Sequence, residues 1–170
     1  MTTTAIEGIA SSRRTAIALP FLVLGAAGIV AGGVSAAVSA SAPSRLGAWS
    51  AAYLVLVVGV AQVVLGLGQA YLSQRLPSRG VMLTQFIAFN LGNAAVIAGT
   101  LVAVPMLVNT GGALLVVSLV LFALRMRGIR DSELWRSRPH RRLVVAYQAV
   151  LAVVLVSIPI GLVLAQLRSR

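Results

Sequence analysis

Residues 48–72, AWSAAYLVLVVGVAQVVLGLGQAYL, contain no charged side chain. A helix of this length extends about 37 Å, enough to cross the ~30 Å hydrocarbon core of a bilayer. A soluble helix would turn a charged or polar stripe to water, but here two isolated glutamines are set among Val, Leu, Ala and Gly. The same pattern recurs at about 16–40, 81–104, 106–126 and 143–167. The chain's 14 basic and 3 acidic residues lie between these runs or at their ends. A central Arg costs about 2.5–3.5 kcal/mol on insertion, so this placement is the one a bilayer requires. The sequence therefore predicts an all-α fold, a polytopic transmembrane bundle of about five spans. It forms one domain over 16–170, preceded by a short, mobile polar tail over 1–15.

The gaps carry turn chemistry. Pro20 falls near the start of the first span, where a helix tolerates it best. Arg13-Arg14, the apolar run and Val38-Ser39-Ala40 together imitate an export signal, but the run is longer than such signals use and four spans follow it. Between the third and fourth spans a tight hairpin is expected within 103–112. Pro105 either ends one helix or opens the next. Pro159 and Gly161 are expected to interrupt the last span.

Arginine placement predicts orientation. Eleven arginines fall on the side of the N-terminus, the 73–80 loop and the 125–142 loop, and three fall on the other. The positive-inside rule then puts the N-terminus in the cytoplasm and the C-terminus outside. All basic residues are Arg and none is Lys, in a chain rich in Ala, Val, Gly and Leu. That usage suggests a GC-rich bacterial genome and hence a bacterial plasma membrane. Continuous apolar runs do not fit the alternating strands of an outer-membrane barrel.

Composition excludes much chemistry. With no cysteine there is no disulfide, thiolate metal site or cysteine nucleophile. The acids Glu7, Asp131 and Glu133 and the single His140 all lie in hydrophilic segments. The spans thus supply no ionisable proton relay, no bis-histidine haem site and no intramembrane metalloprotease site. No phosphate-binding glycine motif is present. Neither a catalytic residue nor a metal ligand nor a cofactor is expected. The net charge of +11 comes without a nucleic-acid recognition motif, so anionic headgroups rather than nucleic acid are the expected counterpart.

Three features remain as candidates. Gly25, Gly28 and Gly32 lie on one side of the first helix and read as a seam for close helix approach, within the bundle or in self-association. On the second span Gly59, Gln62, Gly66 and Gln69 share a face, and on the third Gln85, Gly92 and Asn93 do so, with Asn90 further round. Amides in hydrocarbon need partners, so these two small-and-amide faces are expected to meet, as interhelical bonding, as a polar pocket or path for a small neutral ligand or a cofactor headgroup, or as contact with a partner subunit. In the loop RMRGIRDSELWRSRPHRR, Arg125, Arg127, Arg130, Arg136, Arg138, Arg141 and Arg142 are expected to lie on anionic headgroups. The function expected from these readings is a non-enzymatic accessory, assembly or structural component of a membrane complex, with other membrane subunits or itself as partner. The alternative is a small transporter or channel lined by Gln62, Gln69, Gln85, Asn90 and Asn93.

Overall fold

The computed structural model describes residues 2–73, 76–126 and 138–168. It is 91% helical and has no strand among the described residues. Five helices are long and apolar enough to cross a membrane, and we number them α1–α5. α1 is Thr2–Ser41. α2 is Arg45–Tyr71, built as Arg45–Tyr53, a wider π-helical stretch Leu54–Ala61, and Gln62–Tyr71. α3 is Arg79–Leu101, α4 is Pro105–Arg125 and α5 is Arg138–Arg168.

Two expectations about the first helix need correction. The segment expected as a mobile tail is helical from Thr2, because extending an existing helix adds a bond per residue with no new nucleation cost. Pro20 therefore sits inside α1 rather than at its start, and takes one backbone donor from the ladder. The last span also departs from expectation, since α5 stays helical across Pro159 and Gly161.

Local chemistry sets the other boundaries. Ser44 caps α2, its Oγ accepting from the Gly47 N–H at 3.0 Å, and Ser78 caps α3 by accepting from Val81. The α3–α4 hairpin resolves the ambiguity at Pro105, which is the first residue of α4, where its missing N–H costs nothing. α3 ends in a Schellman-type turn. Ala103 has φ 56° and the Val104 N–H donates to the Gly99 carbonyl at 2.8 Å.

The helices associate as two close pairs, and these are not the pairs that the small-residue faces predict. Gly25, Gly28 and Gly32 of α1 lie against α2: a Cβ added at Gly28 would come within 3.0 Å of the Gly59 backbone N, and one at Gly32 within 2.9 Å of the Ala51 carbonyl. Gly59 and Gly66 also face α1, meeting Ile29 and Phe21. Gly92 faces α4, where a Cβ would lie 2.9 Å from the Gly111 carbonyl. The close backbone approaches are thus α1–α2 and α3–α4, whereas α2 and α3 were expected to meet through these glycines. Glycine pairing of this kind maximises van der Waals contact where lipid gives no hydrophobic drive.

Between the pairs the packing is by large side chains. Phe21 is fully buried and makes edge-to-face contacts with Phe86 at 5.2 Å and Phe122 at 5.7 Å. Leu65, Phe89, Leu115 and Leu119 complete this core. α5 joins it through Val144, Tyr147 and Leu151, with the Tyr147 ring seated on Gly68 of α2. In the other spans 33–39% of the apolar window is buried, against 17% for α5, so α5 is held along one side only.

Candidate functional site

Buried polar groups of α2 and α3 bond across the interface between these helices at two places. Gln62, Gln69, Gln85 and Asn93 are all at most 2% exposed. The Gln69 amide Nε2 donates to Gln85 Oε1 at 2.7 Å, and the Tyr53 hydroxyl donates to Asn93 Oδ1 at 2.8 Å. Two serines add to the Gln69–Gln85 pair: Ser118 of α4 donates to the Gln85 main-chain carbonyl at 2.9 Å, and Ser73 to the Gln69 main-chain carbonyl, four residues back in the same chain segment, at 2.5 Å.

The π stretch explains how Tyr53 and Gln69 both reach α3. In an uninterrupted α-helix these two residues would lie roughly 160° apart around the axis, on nearly opposite faces. A π turn takes up an extra residue, worth about 100° of rotation, and brings them within about 60° of each other. Leu54–Ala61 lies between them. Tyr53 was invisible as Asn93's partner for this reason, since helical spacing places it on the wrong side.

Satisfaction of the network is incomplete. Both amide atoms of Gln62 are buried without a hydrogen-bond partner, as are Gln69 Oε1, Gln85 Nε2, Asn93 Nδ2 and the Tyr147 hydroxyl. An orphaned polar group in an apolar interior costs about 1–3 kcal/mol. Asn90, expected among the amides, does not join them. It is half-buried and its Nδ2 donates to the Phe86 carbonyl of its own helix at 2.8 Å. Thr100 likewise bonds to its own helix, to the Val96 carbonyl.

The basic end is described in part. Arg13, Arg14, Arg79, Arg125, Arg141 and Arg142 lie at one end of the antiparallel bundle, and Arg45 at the other. Arg14 reaches across from α1 to donate to the Ala70 carbonyl at 2.7 Å, a cation on the last turn of α2 where carbonyls lack helical partners. Arg125 is half-buried, and Arg141 and Arg142 are exposed. Arg138 opens α5, while Arg127, Arg130 and Arg136 lie outside the described residues. At the opposite end Trp49 stacks on Tyr53 with centroids 5.1 Å apart, as expected of an interfacial aromatic.

Among the described residues no three His, Cys, Asp or Glu side chains come together as metal ligands would. What the amides offer instead is neutral hydrogen bonding, with buried donors and acceptors both free; the Arg14 guanidinium comes near only at the Ala70 carbonyl. No protein-family model matches the chain, and neither a curated protein nor a solved structure is significantly similar to it.

Proposed function

We propose that this protein is a non-enzymatic component of a bacterial plasma membrane, an accessory or assembly subunit of a membrane complex, with its N-terminus cytoplasmic and its C-terminus outside. Five apolar helices are compatible with an integral membrane protein, and the finer reading builds on that. The supporting observation is the one-sided attachment of α5. Leu143, Val145, Val153 and Val156 are 50–64% exposed, and they leave a continuous apolar face for a neighbouring subunit. The absence of ionisable side chains from the spans supports a role without catalysis. Purification in a mild detergent should yield a stoichiometric partner, and Val153→Trp with Val156→Trp should release it. A protein that always purifies alone would sink this reading.

A small transporter or channel is the second reading, favoured by one arrangement. The Tyr53–Asn93 and Gln69–Gln85 bonds link α2 to α3 at two levels, buried Gln62 lies between those levels along α2, and Ser73 follows at the end of the helix. From Tyr53 to Ser73 is roughly 30 Å of helix, about the thickness of the hydrocarbon core. Proteoliposomes should then admit urea or glycerol faster than protein-free vesicles, and equal rates would reject passage.

A further inference from the structure

The α2–α3 interface differs in kind from the two glycine-mediated pairings. It joins long side chains: the Gln69 and Gln85 amides bond across it, and Leu65 of α2 and Phe89 of α3 belong to one buried cluster. Gln69 and Gln85 share a single hydrogen bond, leaving an acceptor on one amide and a donor on the other, both buried and unpartnered. A primary amide or a urea is the complement of that pair, its N–H facing Gln69 Oε1 and its C=O facing Gln85 Nε2. Gln62 lies two turns before Gln69 on the same side of α2, about 10 Å along the axis, and it offers a further free donor and acceptor. No acidic side chain lies in these spans to offset a cation, and the guanidinium that comes near Gln69, that of Arg14, is engaged by the Ala70 carbonyl, so a ligand here is uncharged.

We propose that the α2–α3 interface binds a small uncharged ligand of the carboxamide or urea type, seated on Gln69 and Gln85 and reaching toward Gln62. This deepens the second reading, on which it rests for its location, and it concerns occupancy rather than passage. Saturable binding without flux would reject transport and leave the site standing.

The test uses the full chain in lipid nanodiscs with 15N-labelled glutamine side chains, titrated with acetamide and with adipamide, a linear diamide. Acetamide should shift the Gln69 and Gln85 side-chain amides saturably while Gln148 on α5 stays still. Adipamide should bind roughly tenfold tighter by engaging both ends, and Gln62→Leu should return it to acetamide's midpoint. Shifts at Gln69 and Gln85 that never saturate, or that Gln148 shares, overturn the proposal. So does a tenfold advantage that survives Gln62→Leu, or a glycerol titration that saturates equally. If Gln62→Leu does not fold, the titrations of the unaltered chain still decide.

Discussion

Gln62 and Gln69 lie two turns apart on one side of α2, both fully buried, in opposite energetic positions. Gln69 has a partner in Gln85, whereas Gln62 has none. In ligand-free protein Gln62→Met, which keeps the volume and removes two orphaned atoms, should raise stability by about 1–2 kcal/mol. Gln69→Met exchanges one orphan, its own Oε1, for another, the Gln85 acceptor, and loses the bond between them, so it should lower stability by about 0.5–1.5 kcal/mol. Reversible unfolding in mixed micelles reads both signs, and a destabilised Gln62→Met would mean that Gln62 has a partner after all. The sequence alone leads to the opposite expectation for Gln62, a modest loss on replacement, because periodicity shows which residues share a face and not which find partners. It locates the amides at Gln62, Gln69, Gln85 and Asn93 but misplaces Asn90. Tyr53 and Ser118 stay hidden because their partners lie on neighbouring helices, and Ser73 because it lies past the expected end of its span and bonds back to its own helix.

At the scale of the helices, the spans are legible because hydropathy and charge placement are all a bilayer requires of them. The π stretch in α2 is not legible, since LVLVVGVA suits an α-helix equally well. Pairing is half legible. Glycine seams mark faces of close approach, but every helix carries small residues, and the choice among partners falls to larger side chains such as Phe21. Two substitutions on α1 test the pairing. Gly28→Leu meets Val58 and the Gly59 backbone and should cost about 2–3 kcal/mol or prevent assembly. Gly33→Leu, where an added Cβ meets nothing within 4 Å, should stay within about 0.5 kcal/mol of the unaltered protein. At the hairpin, Ala103→Gly should stabilise by about 0.5–1 kcal/mol, since Ala103 occupies a left-handed conformation that glycine adopts without strain. Equal unfolding midpoints for Ala103→Gly and the unaltered chain would show that the turn is not strained.

For the molecule as a whole, the antiparallel helices gather most described arginines at one end and leave Arg45 and Arg168 at the other. Reporter fusions after Pro43 and after Pro77 should therefore give opposite answers, with the 77 position cytoplasmic. Agreement between the two would overturn the orientation. The basic end also explains why Arg14 can cap α2: a guanidinium at the headgroup level reaches a carbonyl without entering hydrocarbon.

The two glycine-fastened pairs carry a consequence for how the chain tolerates being divided. Each pair satisfies its own backbone and joins its helices by internal contacts, so each can insert as a finished unit before meeting the other. The break between them falls at the short connection after Ser73, while the decisive contacts across it, Phe21 with Phe86 and Phe122 and Gln69 with Gln85, need no covalent link. Two separately expressed pieces, 1–74 and 75–170, should thus recombine in one membrane and co-purify. Cutting the chain at Ser44 instead separates α1 from the partner against which Gly25, Gly28 and Gly32 are shaped, and should give far less recovery. Recovery of that kind would make the protein a heterodimer encoded in one chain.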